Sequence, residues 1–283
     1  MGIFLAYYFE ILFLTVAPIL VFGVAIYFCN RAFCSLVGDG ARARPLLLAA
    51  HIFTTPLREF AHLAACMLFF HRVTDYRLLS LHDPDGELGF VEHSYNRKNP
   101  VALLGNFFFA VMPVFVGLFA VLVTVLACFP NSFGTLVKET ALLEESGGGF
   151  GAYVSLVFGF LPMLFGGTGA LFLKILGCVL LLLFSIGVFV SLADLEDAVS
   201  GCFVYALTVF LFAAVTALFD DRLRRLILHG LRGFATGVTA LLLVALLFSL
   251  IAVLIGFFCF LCRSFLVPEQ HAVVPYSERE GRD

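Results

Sequence analysis

Apolar stretches long enough to cross a bilayer recur along this chain, and they fix its fold class. A span needs ~20 consecutive, mostly apolar residues. Six stretches approach or exceed that length: Ile3–Cys29, Pro45–Phe70, Val101–Phe129, Ala170–Ala193, Gly201–Phe219 and Gly233–Cys262. Of the 283 residues, 61% are hydrophobic and only 13% are charged, whereas a soluble domain averages about 25% charged. The expected fold is an all-α polytopic membrane bundle with about six transmembrane helices. Residues 1–262 read as a single transmembrane domain, and residues 263–283 as a polar tail without fixed structure. The lipid bilayer is the first partner. A net charge of −3 without a basic patch gives no sign of nucleic acid.

The first stretch reads as a retained helix. It is too long for a signal-peptide core and carries no Lys or Arg before Phe9. Phe150–Phe165 is apolar but short, contains Pro162 and is flanked by glycines, so it reads as a re-entrant or interfacial segment. With six spans, Arg31, Arg42 and Arg44 would share one side with Arg222, Arg224, Arg225 and Arg232, which the positive-inside rule makes cytoplasmic. A seventh span would separate the two groups. Between the second and third helices, Tyr76–Leu81 and Leu88–His93 read as strands joined by a tight turn at Asp83-Pro84-Asp85-Gly86, a small β-hairpin. The cysteines fall mostly within apolar runs, where they act as small hydrophobes. Cys259-Phe260-Leu261-Cys262 is a lone CxxC with no second pair to complete a metal site.

Inside the second apolar stretch sits Thr55-Pro56-Leu57-Arg58-Glu59-Phe60-Ala61-His62. A charge at the bilayer centre costs roughly 3 kcal/mol on insertion scales, so such groups are paired, hydrated or used. Arg58 and His62 lie four residues apart on one helical face, with Glu59 beside them. This is the layout of a His-Glu-x-x-His zinc-protease helix with its first His replaced by Arg58. An Arg guanidinium offers only donors and stays protonated, so it cannot be a metal ligand.

The chain here resembles the site-2-protease-like membrane zinc metallopeptidases, in particular a compact branch without a PDZ domain. The likeness rests on Thr55–His62, on Leu88–Asn96 in the hairpin, on Leu104-Gly105-Asn106 with Pro113 in the third helix, and on Ser191–Leu195 at the end of the fourth. The protease-like core would cover about residues 45–195. The resemblance implies that Glu59 matches the general base, His62 the second zinc ligand and Asp194 the third, with His93 as a substitute for the missing first ligand. His51 is a more distant substitute. The implied cofactor is zinc, if the site is active. The implied localisation is a bacterial cell membrane, as a multi-pass protein.

Each residue also has a structural reading. Arg58 and Glu59 could form an ion pair within the bundle, His62 could be a core histidine, and Asp194 could cap the following helix. Arg58 could also supply permanently the positive charge that a metal ion would bring to buried carboxylates. Three functions follow. One is a catalytically impaired relative that binds or regulates a membrane-embedded peptide or protein client. The alternative is an active metalloendopeptidase using Glu59 as base. The third is a transporter with Glu10, Arg58, Glu59, His62 and Lys174 along a polar path, which no internal repeat supports.

Overall fold

A computed structural model describes residues 2–38, 44–80, 88–146, 150–166, 170–219 and 221–266. The described residues form eight helices and one two-stranded sheet. The turn at residues 83–86, the tail beyond residue 266 and the glycines 147–149 lie outside them.

Helix α1 spans Gly2–Val37, eight residues past its expected end at Cys29. Phe33 and Val37 are buried in this extension, and Asn30 Nδ2 donates to the Ile186 carbonyl at 3.0 Å. Gly38 then ends the helix with φ of 77°, its N–H donating to the Cys34 carbonyl. Only glycine takes that left-handed cap at no steric cost. Helix α2 spans Arg44–Leu68 and carries the charged cluster. Strands β1 (Arg72–Arg77) and β2 (Phe90–Ser94) pair antiparallel, with a register shift between Val73 and Asp75. The hairpin thus stands where expected, but its first strand starts four residues earlier.

Helix α3 spans Pro100–Cys128. Asn99 caps it by accepting from the Val101 N–H, and Pro100 stands in the first turn, where its missing donor costs nothing. Pro130 starts α4 (Pro130–Glu145) immediately after. The sequence reading had no element there, because Lys138, Glu139, Glu144 and Glu145 leave no apolar run to signal one. The segment expected to be re-entrant is helix α5, Phe150–Gly166.

The largest departure is between residues 171 and 217. One helix was expected to run to Ala193 and another to start at Gly201. Instead α6 is Leu171–Ile186 and α7 is Leu192–Ala217, with non-helical chain between them. Gly187 lies so close to α2 that a Cβ there would come within 2.7 Å of Thr54 Cβ. A capping box restarts the helix: the Ser191 hydroxyl accepts from the Asp194 N–H, and the Asp194 carboxylate accepts from the Ser191 N–H. Asp194 therefore stands in the first turn of α7 and not at the end of the fourth helix. Helix α8, Asp221–Leu266, begins twelve residues before the expected Gly233 and takes the arginine-rich loop into its first turns.

Four of these helices, α1, α3, α7 and α8, are long and apolar enough to cross a membrane. They are the core of an integral, multi-pass membrane protein, although fewer than the six expected spans. Helices α5 and α6 are shorter apolar helices, and in α2 Arg58 and Glu59 together with His51 and His62 lower the hydropathy. Val114, Val121 and Val125 of α3 pack with Leu181 of α6 and with Leu242 and Leu247 of α8 in the main core. Helices α1 and α8 run parallel. Arg232 reaches Glu10 near their N-terminal ends, while Ala252 packs with Phe33 and Val37 near the other. Arg31 therefore lies toward the opposite end of the pair from Arg222, Arg224, Arg225 and Arg232. Six spans would place these groups on one side; the parallel packing of α1 and α8 separates them.

Candidate functional site

The site forms where α2 passes the start of α7. Arg58 and His62, one helical turn apart, both point at Asp194. Arg58 Nη2 donates to Asp194 Oδ2 at 2.8 Å and to Ser191 Oγ at 3.1 Å. His62 Nε2 lies 3.8 Å from Asp194 Oδ1. Asp194 also accepts from the Ser191 N–H at 3.0 Å. The same carboxylate thus closes the capping box of α7 and pairs with α2. The pair is asymmetric: side-chain exposure is 25% for Arg58 and 8% for Asp194. The guanidinium carbon sits 5.0 Å from the centre of the Phe189 ring, in cation–π range.

Around His62 the surroundings are aromatic. Its ring stacks on Phe109 of α3 with centroids 4.2 Å apart, and His93 of β2 packs on Phe109 at 4.3 Å. His93 also stacks on His71 at 4.9 Å, and His71 Nε2 is 2.7 Å from the Ala102 carbonyl. Burial, and then the neighbouring His71, lowers the pKa of His93, favouring its neutral form. The hairpin is thus keyed to the bundle by ring packing, with a phenyl ring in contact with both imidazoles.

Glu59 is buried and turns toward a cleft of about 280 Å³. His51, Thr54, Thr55 and Arg58 of α2, Gly89 of the hairpin and Phe189 of the break between α6 and α7 line it. Gly89 lets the hairpin lie on α2. A Cβ there would meet the Arg77 and Leu78 carbonyls and Thr55 Cγ2 at 2.9 Å. Arg58 is the shared wall: one side of it meets Asp194 and the other borders the cleft.

Arg58, His62 and Asp194 therefore converge, Glu59 adjoins them in the cleft, and His93 is held by ring packing. Ser191, Phe109, Phe189 and His71 are the contributors that sequence reasoning did not assign. Of these, Ser191 had a usable signal, because Ser191-x-x-Asp194 is a capping-box spacing.

A protease-type zinc needs three protein donors around one point and an open fourth position. Among the described residues, no group of three or more His, Cys, Asp or Glu side chains is placed to hold a metal ion. The carboxylate of Asp194, which would be a ligand, already receives the Arg58 cation. These residues do not fit a zinc site.

No protein-family model matches this chain, and neither the curated proteins nor the solved structures contain a significant match to it.

Proposed function

We propose that this multi-pass membrane protein is a catalytically impaired relative of the site-2-protease-like metallopeptidases, and that it binds a membrane-embedded peptide or protein segment. The observation that carries this reading is the 2.8 Å contact between Arg58 and Asp194. A fixed cation balances the buried carboxylate in the place a metal would take, and this joins α2 to α7 without metal. Buried carboxylates need such a partner. What remains for a client is the adjoining cleft, with Glu59 and two threonines on one wall and Phe189 on another. Polar groups there can meet peptide groups, and the aromatic wall can meet an apolar side chain.

The test uses the full chain reconstituted in vesicles with a labelled apolar helical peptide. A photo-crosslinker replacing Thr55 is expected to capture the peptide intact. Chelator-sensitive cleavage that disappears in Glu59→Gln would overturn the proposal and establish the alternative, a metalloendopeptidase with Glu59 as base.

A further inference from the structure

The exposed face at the start of α8 has no part in the site above. Arg222, Arg225, His229 and Arg232 are all exposed, and their spacing of three, four and three residues puts them on one helical face. The other side of the same segment is apolar, with Leu228 and Leu231 packed on Tyr7 and Ile11 of α1. The stripe is about 15 Å long at 1.5 Å per residue. It leads straight into the apolar part of α8, so it stands at the end of a membrane-crossing helix. Arg232 is exposed even though it pairs with Glu10, and Arg224 pairs with Asp221. Among the described residues, Arg222 and Arg225 have no acidic partner. Four arginines lie in the segment against Asp220 and Asp221 just before it, in a chain whose net charge is −3.

A basic stripe alone would suit water equally well. The residues beside it do not. Leu218, Phe219 and Leu226 are exposed, Leu218 at 86%. Two of them stand in the turn that enters α8, and Leu226 stands four residues after Arg222 on the helix. Large apolar side chains next to a row of arginines fit a boundary where headgroups meet acyl chains.

We infer that Arg222, Arg225 and Arg232 form a docking stripe for anionic lipid headgroups, with Leu218, Phe219 and Leu226 seated in the acyl region beside it. This is independent of any activity at Arg58 and Glu59. Each arginine near an anionic surface is worth roughly fivefold in affinity.

Native mass spectrometry of the purified full chain tests this, using phosphatidylglycerol and phosphatidylcholine of identical acyl chains. The natural protein is expected to retain phosphatidylglycerol preferentially. Arg222→Gln/Arg225→Gln should lower that preference roughly twenty-five-fold, while the doubly Lys-substituted protein keeps most of it. Arg97→Gln/Lys98→Gln removes two exposed charges elsewhere and should leave the preference unchanged. Wild-type preference in Arg222→Gln/Arg225→Gln would overturn the inference. So would an equal loss in Arg97→Gln/Lys98→Gln, which would show a general charge effect, or the absence of any preference in the natural protein.

Discussion

Replacing Arg58 by Ala removes the cation from a carboxylate that has little access to water. Breaking a buried ion pair from one side costs about 3–5 kcal/mol, because the remaining charge is stranded. Arg58 is 25% exposed, which lowers the figure, and Asp194 keeps the Ser191 N–H. The expected loss is therefore about 2–4 kcal/mol. For a chain of 283 residues, at about 2.1 cal/mol/K of unfolding entropy per residue, that is a fall of roughly 3–7 °C in the unfolding midpoint. Removing the other partner should cost less. In Asp194→Asn the stranded Arg58 can turn toward the cleft and solvent, and about 1–2 kcal/mol is expected. In Arg58→Met/Asp194→Asn neither charge is left alone, so the double variant should lose at least about 1 kcal/mol less than the sum of the singles. Arg58→Met keeps much of the packing on Phe189, which separates lost charge from lost contact. Unfolding in detergent can be followed with a thiol-reactive fluorophore, because Cys66 is buried in the folded protein. A midpoint within about 1 °C of wild type for Arg58→Ala, or strictly additive single effects, would refute this reasoning.

Three further outcomes are expected. His93 has a lowered pKa in the folded protein, so its contribution is complete above the unfolded value near 6.5 and is lost as pH falls below it. Amide-exchange protection factors in the hairpin, which remove the intrinsic pH dependence of exchange, should therefore be lower at pH 5 than at pH 7.5, and His93→Gln should flatten this dependence; pH-independent protection in the natural protein contradicts it. Gly89→Ala should loosen the hairpin from α2 at a cost of about 1–3 kcal/mol, as overpacking does, read as faster proteolysis between β1 and β2; unchanged proteolysis would contradict the tight contact with Thr55. Because α1 and α8 are parallel, cysteines placed at Arg31 and at Arg222 in a cysteine-free background should be labelled from opposite sides of sealed vesicles. Labelling of both from one side would contradict the parallel packing.

Helix-forming apolar runs were easy to read, because burial in lipid leaves little choice but helix. Where helices end depends on tertiary contacts that hydropathy does not contain. Hydropathy alone carries the fourth stretch on to Ala193, yet the close fit of Gly187 on Thr54 and the Ser191–Asp194 cap divide the chain there. Likewise, Arg222–Arg232 reads as a loop by charge, but one apolar side facing α1 is enough to keep it helical. Helix α4 was invisible because its polar residues break any apolar run. At the site, the i, i+4 spacing of Arg58 and His62 correctly placed them on one face. The meeting of that face with Asp194 rested on a resemblance and not on spacing, since 132 residues separate His62 from Asp194. The aromatic contacts of Phe109 and His71 had no sequence signal at all.

Under the proposed function, the guanidinium of Arg58 replaces a metal ion as the partner of Asp194. Elemental analysis of the purified natural protein for zinc tests it most directly. The account predicts far less than one zinc per chain, even after incubation with zinc and desalting. One tightly retained zinc per chain would contradict it.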